Sequence, residues 1–244
     1  MSESGKRACL VIGAGDATGG AIARRFAQEG YVVVPVRRKL EHLEELTQTI
    51  LKEGGDVVPI GCDAREEDQM IALFNRIEEK IAPLDVVVFN IGANARFAFD
   101  EIEIRKFRKI WELACYAGFL TCREAVRHMA PRGKGSILVT GASASMKGYA
   151  GGAAFASAKF ALRGMTQSLA RECWPKGIHV AHFIIDGAID TEFIREFWPK
   201  AYAKKDQAGI LDPMHIAENY WQVHNQPRDA WTFEMDLRPW METF

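Results

Sequence analysis

The sequence of 244 residues lacks three features: a strong charge of one sign, a long hydrophobic run and a secretory signal. Acidic and basic side chains nearly cancel, with a formal net charge of −1, so no charged surface for nucleic acid or an anionic membrane is indicated. No apolar run approaches the length of a transmembrane helix. The start of the chain runs into a core strand without the pattern of a secretory signal. These absences predict a soluble, cytoplasmic protein without a nucleic-acid or membrane partner.

Paired cysteines and clustered metal ligands are also missing. The five cysteines are scattered along the chain, at Cys9, Cys62, Cys115, Cys122 and Cys173. We interpret them as free thiols in a reducing compartment. The histidines form no metal motif, so we expect no metal and interpret three of them as strand or helix-end residues: His128, His179 and His182.

Short apolar runs alternate with longer amphipathic segments. The apolar runs predict strands at 8–12, 31–36, 57–61, 84–89, 137–140 and 178–185, with an edge strand at 231–237. The amphipathic segments predict helices at about 21–27, 40–51, 70–81, 107–129 and 153–173. Strands that are apolar on both faces and separated by helices indicate an α/β fold, a Rossmann-like doubly wound parallel sheet of about seven strands.

The chain is predicted to be a single domain over residues 1–244. No internal repeat or low-complexity linker divides it. The region at about 191–228 is richer in Trp, Lys, Asp and Pro and lacks clean periodicity. We therefore expect this region to form a lid on the substrate side of the domain.

A glycine-rich turn lies between the first predicted strand and its helix. Glycines at this place allow a tight turn and a close backbone approach, so that a pyrophosphate can sit on the N-terminus of the helix. The position between a strand and a helix makes the signal stronger than the glycines alone. The candidate contacts for the phosphates are Gly13, Gly15, Asp16, Ala17, Thr18 and Gly19.

The segment from Gly135 to Gly164, which contains Phe155-Ala156-Ser157-Ala158-Lys159, resembles the active site of the short-chain dehydrogenase/reductases. That family is an NAD(P)-dependent oxidoreductase family, and its Tyr four residues before the Lys donates the proton. Here Phe155 stands at the Tyr position. The resemblance covers about residues 7–195 and implies a dinucleotide cofactor and a small-molecule carbonyl or alcohol substrate.

Other parts of the sequence resemble the cofactor site of this family. Its glycine pattern, Thr-Gly-x-x-x-Gly-x-Gly, is matched from Ile12 to Gly19, with Ala17 in place of the middle glycine. Asp63 stands where an Asp usually meets the adenine ring. The resemblance implies further cofactor contacts after the fourth and sixth strands, from Asn90, Gly92, Gly187, Ile189 and Thr191.

The end of the second strand bears on the choice between the two nicotinamide dinucleotides. Arginine pairs with the 2′-phosphate of NADP, whereas an acid accepts hydrogen bonds from the 2′-hydroxyl of NAD. Arg37 and Arg38 therefore favour NADP(H) over NAD(H). Asp16 in the glycine turn argues mildly the other way, because its charge would repel a phosphate.

The resemblance carries over to the catalytic residues only in part. Lys159 matches the Lys that holds the nicotinamide ribose, whereas Ala142 falls at the family's Ser and Ala114 at its Asn. Activity without the Tyr, Ser and Asn would need another proton donor. The candidates near the nicotinamide are Ser143, Ser145, Tyr149 and Asp186.

Three functions follow from these observations. The first is a divergent NAD(P)(H)-dependent oxidoreductase with a non-standard proton donor. The second is a catalytically inactive NADP(H)-binding sensor or regulator. The third is a non-redox lyase, isomerase or dehalogenase on the same fold, which the cofactor signature disfavours. By analogy with the family, the helices at about 107–129 and 153–173 are expected to pair in a homodimer or homotetramer.

Overall fold

The computed structural model describes residues 5–243, in which eight β-strands form one sheet. The strands are β1 (Ala8–Ile12), β2 (Val32–Arg37), β3 (Asp56–Val57), β4 (Ile60–Gly61), β5 (Leu84–Phe89), β6 (Gly135–Thr140), β7 (Ile178–Ile185) and β8 (Glu234–Leu237). Their order is β3-β2-β1-β5-β6-β7-β8, and β4 also pairs with β2. All of these pairings are parallel.

Helices cover both faces of the sheet. They are α1 (Thr18–Gln28), α2 (Glu44–Lys52), α3 (Glu67–Lys80), α4 (Ile104–Trp111), α5 (Ala117–Met129), α6 (Ala153–Cys173), α7 (Glu192–Phe197), α8 (Pro199–Tyr202) and α9 (Pro213–His224). Side chains of α3, α5 and α6 pack on one face, and those of α1, α2 and α9 pack on the other. Alternate residues of each central strand enter the two cores, as the period of a strand requires.

The predicted fold class is confirmed, because the structure is a doubly wound parallel sheet with helices on both sides. Strands β1, β5 and β7 have the predicted bounds. The predicted strand at 57–61 is instead two short strands, β3 and β4, which both pair with β2. The predicted helix at 107–129 is divided by a π-helical turn, Glu112–Tyr116, between α4 and α5. None of the helices described in residues 5–243 combines the length and apolar character of a membrane span.

The predicted lid at 191–228 contains two kinds of structure. In α7 and just after it, Phe193, Phe197 and Trp198 are exposed. By contrast, α9 packs on α1 and buries Tyr220 completely. That residues 191–228 cover a substrate stays a prediction, as does the division of the chain into one domain and a lid.

Candidate functional site

The glycine turn is held against the carboxyl ends of β1 and β5. Gly13 has a φ of +87°, a conformation that favours glycine. The side-chain amide of Asn90 donates to the Gly13 carbonyl oxygen at 3.1 Å. A Cβ atom added to Gly19 would lie 2.3 Å from the same oxygen. The turn therefore packs so closely on α1 that Gly19 admits no side chain.

The N-terminus of α1 begins inside this turn, at Thr18. The capping position is Ala17, whose side chain accepts no hydrogen bond, so the first backbone N–H groups of the helix remain available to another acceptor. The Thr18 hydroxyl is buried and has no hydrogen-bond partner among the described residues. Free N–H groups and an unpartnered hydroxyl at a helix N-terminus fit a phosphate group.

Arg37 and Asp16 meet at the rim of the turn. The Arg37 guanidinium lies 3.3 Å from the Asp16 carboxylate and donates to the backbone oxygen of His42 at 3.2 Å. Arg38, next in the chain, is exposed. Arg37, which favours NADP(H), and Asp16, which argues against it, are thus paired with each other in the structure.

Asp63 follows β4 and is bound to a neighbour in the chain. Arg65 donates to both of its carboxylate oxygens, at 2.9 and 2.5 Å, and lowers the pKa of this carboxyl. The Asp63 backbone N–H donates to the Gln69 side chain at 2.9 Å. The same Arg65 lines a surface cavity of about 440 Å³ with Trp111 and Tyr116. Asp63 thus stands at the sheet edge with its carboxylate already in an ion pair.

Lys159 is the buried cation of the site. It is 2% exposed, and its ammonium group donates to the backbone oxygens of Thr140 at 2.8 Å and Ile91 at 3.2 Å. These carbonyls end β6 and follow β5, so α6 delivers the lysine to the carboxyl edge of the sheet. Burial lowers its pKa to about 8, and the nearby Cys115 thiol acts in the opposite direction. The lysine is held where the C-terminal ends of the central strands meet.

Phe155 lies one helical turn before Lys159, with its ring 5.8 Å from the ammonium group. It is buried in an apolar cluster with Ala154, Ala156, Ala144 and Ile110. Ala142 and Tyr149 pack against the same cluster. Ala114 forms a second small cluster with Cys115 and Ala158, beside the lysine. The surroundings of Lys159 are therefore mainly apolar on the side of α6.

The four candidate donors have different surroundings. The Tyr149 hydroxyl is 3.4 Å from the Asn94 side-chain oxygen, and its ring packs against the apolar cluster around Phe155. Ser143 begins a short 3₁₀ turn and is half-buried. Ser145 is fully buried and accepts the Ala142 N–H at 3.2 Å. Asp186 is buried in an ion pair with Arg238, at 3.3 Å. Tyr149 is therefore the candidate whose hydroxyl is not buried and whose ring lies on the Phe155 cluster.

The remaining cofactor candidates lie after β5 and β7. Gly92 has open space where a Cβ would be. Gly187 has a φ of +150°, and an added Cβ there would lie 2.6 Å from the Pro239 ring. Ile189 forms an isolated parallel bridge with Leu211. Thr191 caps α7, because its hydroxyl accepts the Ile194 N–H at 3.1 Å.

The sequence reasoning missed a second buried polar group behind Lys159. His182 on β7 is fully buried, and its Nδ1 lies 3.0 Å from a carboxylate oxygen of Glu234 on β8. Arg163 on α6 donates to both oxygens of that carboxylate. His182 and Glu234 are 52 residues apart and come together only because β7 and β8 pair in this register. Two histidines, His179 and His182, in an otherwise apolar strand were the available signal.

Known proteins resemble this chain over the region that contains the site described above. A family model described as short chain dehydrogenase matches residues 7–201. A short-chain dehydrogenase of known crystal structure from Rhodopseudomonas palustris is 45% identical, with a TM-score of 0.82 over 96% of this chain and 99% of that one. The matched stretch includes the glycine turn and Lys159.

Two further proteins are more distant. A 3beta-hydroxysteroid dehydrogenase from Mediterraneibacter gnavus is 34% identical over 179 residues, which are 73% of this chain and 64% of that protein. An alcohol dehydrogenase from Thermococcus sibiricus, solved in complex with 5-hydroxy-NADP, is 25% identical, with a TM-score of 0.85 over 98% of each chain.

Proposed function

The chain belongs to the short-chain dehydrogenase family, and on that premise we propose that it is an NADP(H)-dependent oxidoreductase acting on a carbonyl or alcohol group of a small molecule. The observation that carries the proposal is Lys159, buried at the carboxyl edge of the sheet in a chain that also has an uncapped helix N-terminus at the glycine turn. The family's proton-donating Tyr is replaced by Phe155, so the proposal includes a different donor.

The residues of the glycine turn fit the pyrophosphate of a dinucleotide. The buried Thr18 hydroxyl lacks a partner among the described residues, and Gly15, where an added Cβ would meet nothing within 4 Å, leaves room for the close approach of a ligand to the backbone. Arg37 would hold a 2′-phosphate, and Arg38 is exposed nearby. When bound, the cofactor supplies or accepts the hydride. Its other proposed contacts are Gly13, Gly15, Asp16, Ala17, Asp63, Asn90, Gly92, Gly187, Ile189 and Thr191.

Lys159 has the role of holding the ribose hydroxyls of the nicotinamide half. Two of its three N–H groups are taken by the Thr140 and Ile91 carbonyls, so the third is available. Its lowered pKa, about 8, also makes it a group that can exchange a proton near neutral pH.

Tyr149 is the proton donor that we favour. Its ring packs on the cluster that contains Phe155 and Ala142, the positions where the family has its Tyr and Ser. Asp186 is less suited, because its carboxylate is buried in an ion pair with Arg238. Ser143 is retained as the alternative, since it follows Ala142 directly.

The test is turnover of a panel of carbonyl and alcohol substrates by the wild type and by Tyr149→Phe, with NADPH affinity measured by calorimetry. We expect NADPH binding in both proteins and a loss of turnover of about 10²- to 10⁴-fold in the variant. Tyr116→Phe is the matched control, because that ring lies outside the Phe155 cluster and stacks on Phe119. Wild-type protein that binds NADPH and turns over nothing on the panel contradicts the proposal.

A second function is favoured by the apolar character of the cluster. Phe155, Ala142 and Ala114 place no hydroxyl or amide beside Lys159, which is the state expected of an inactive NADP(H)-binding sensor. Phe155→Tyr combined with Ala142→Ser distinguishes the two. Large activation from an inactive wild type supports the sensor, whereas wild-type turnover excludes it.

A further inference from the structure

His182 and Glu234 form a carboxylate–imidazole pair in the interior, between β7 and β8. Two N–H groups of Arg163 donate to the two carboxylate oxygens of Glu234, at 2.7 and 2.8 Å. Arg163 and His182 together lower the pKa of the Glu234 carboxyl. An ionised carboxylate can only accept hydrogen bonds, so the His182 Nδ1 facing it at 3.0 Å must carry the proton. The other ring nitrogen, Nε2, therefore presents a lone pair.

That lone pair has no partner. Nε2 of His182 is buried and makes no hydrogen bond with any described residue. An unsatisfied buried acceptor costs about 1–3 kcal/mol, so its retention here calls for a role.

The position of Nε2 links it to Lys159. A Cβ atom added to Gly141 would lie 2.3 Å from this nitrogen, so the imidazole rests against the Gly141 backbone. The residue before it, Thr140, provides the carbonyl that Lys159 binds at 2.8 Å. The lysine and the imidazole thus meet at one peptide unit. Burial is the main cause of the lowered His182 pKa, and the lysine charge acts in the same direction.

We propose that His182 passes protons between Lys159 and Glu234, directly or through one water, during the oxidoreductase reaction proposed above. In alcohol oxidation, a Lys159 N–H bond breaks and its proton binds His182 Nε2. The Nδ1–H bond then breaks, and that proton passes to the Glu234 carboxylate. The proton that leaves the substrate hydroxyl restores the Lys159 N–H bond, Glu234 releases its proton to solvent, and the ring returns to its Nδ1–H tautomer before the next turnover.

Glu234 and His182 both have the surroundings that this proton transfer requires. The side chain of Glu234 is 21% exposed, whereas that of His182 is fully buried, so the carboxylate can exchange protons with solvent. The charged groups facing the ring are Lys159 and Arg163 from α6 and Glu234 from β8. Burial keeps the imidazole neutral at pH 7, with a pKa of about 4, as a ring that must accept a proton requires.

The first arm of the test needs no substrate. Two-bond ¹H–¹⁵N spectra of the full chain, labelled at histidine, report the tautomer of each ring. We expect His182 to be protonated at Nδ1, and Lys159→Met to shift its Nε2 resonance and raise its pKa. His179, buried on the same strand and stacked on Trp231, is the internal control and should not move. A proton on Nε2, or a His182 resonance that ignores Lys159→Met, overturns the proposal.

The second arm uses His182→Asn, whose amide keeps a donor for Glu234 but removes Nε2. We expect kcat to fall about 10- to 100-fold, with an altered pH profile, a larger solvent deuterium effect and unchanged NADPH affinity. His182→Gln, which places its amide near Nε2, provides a second variant, and His179→Asn is the matched control. An unchanged pH profile and isotope effect in folded His182→Asn overturns the proton path alone. Absence of wild-type turnover overturns the proposed function, while the spectra still decide whether lysine and imidazole are coupled.

Discussion

The glycine turn offers a test at the level of single atoms, because two of its glycines are in opposite situations. An added Cβ at Gly19 would lie 2.3 Å from the Gly13 carbonyl oxygen, whereas at Gly15 it would meet nothing within 4 Å. Gly19→Ala should therefore open the turn, lower the free energy of unfolding by about 1–3 kcal/mol and abolish NADPH binding. Gly15→Ala should keep its stability. Calorimetry with NADPH and denaturant unfolding check both, and equal behaviour of the two variants would contradict the explanation.

The pairing of Arg37 with Asp16 predicts two changes of opposite sign. Arg37→Ala should weaken NADPH relative to NADH by about 10- to 100-fold, the loss of one charge-assisted hydrogen bond. Asp16→Asn should strengthen NADPH, because it removes a negative charge 3.3 Å from the arginine. Lys39→Ala, a change in an exposed side chain, is the control. The dissociation constants of both cofactors are the measurement, and an unchanged ratio in Arg37→Ala would reject NADP selection by this residue.

Some of these residues could be predicted from the sequence, and others could not. The glycine turn and Lys159 stand at fixed spacing from neighbouring strands, so local patterns were enough to choose them. The Arg37–Asp16 pair joins positions 21 apart, and His182–Glu234 joins positions 52 apart. Such contacts depend on strand register, which no local pattern carries.

At the scale of elements, the break in the long helix at 107–129 is the main departure from the periodic pattern. The π turn at Glu112–Tyr116 shifts the phase between α4 and α5, because its N–H groups reach one residue further back. Ala114 and Cys115 are thereby buried beside α6. A single extra residue in one turn leaves the hydrophobic period nearly unchanged, which explains why the sequence predicted one helix.

The packing of α9 on α1 and the sheet was also not predicted from the sequence, which assigned this segment to the lid. Tyr220 on α9 stacks on Phe183, with ring centroids 3.7 Å apart, and its hydroxyl lies 2.8 Å from the Thr140 hydroxyl. Tyr220→Phe should cost about 1–2 kcal/mol in the free energy of unfolding, because the buried Thr140 hydroxyl loses this partner. Tyr202→Phe, which removes an exposed hydroxyl, should change it by less than about 0.5 kcal/mol. Equal values for the two would show that the contact between the Tyr220 and Thr140 hydroxyls adds no stability.

At the scale of the whole molecule, the helices expected to pair with another copy have exposed aromatic side chains. Phe107, Trp111, Phe119 and Phe160 on α4, α5 and α6 are each about 40% exposed, at 39, 39, 42 and 44%. Exposed apolar side chains gathered on neighbouring helices are typical of interaction surfaces. We expect light scattering to show a dimer or tetramer, and Phe119→Glu with Phe160→Glu to give monomers. A monomeric wild type would contradict the prediction.

Buried imidazoles predict how the whole fold responds to acid. Burial lowers the pKa of His182 and of His224 to about 4, against about 6.5 in the unfolded chain. Between these values the unfolded chain binds protons that the folded chain excludes. The stabilisation is therefore complete above pH 6.5 and is lost as the pH falls towards 4, by up to about 3 kcal/mol for each ring.

Guanidinium unfolding at several pH values between 7.5 and 4.5 measures this slope. His224→Asn should be less stable at pH 7.5, because the Tyr31 and Ser136 hydroxyls lose their 2.8 Å contacts with the ring, and its stability should fall less steeply with acid. His215→Asn, at an exposed position on the same helix, should follow the wild type. An equal slope in His224→Asn and the wild type would show that acid acts through other groups. A flatter slope would instead show that the buried His224 imidazole, which joins α9 to Tyr31 and Ser136, accounts for part of the stability lost in acid.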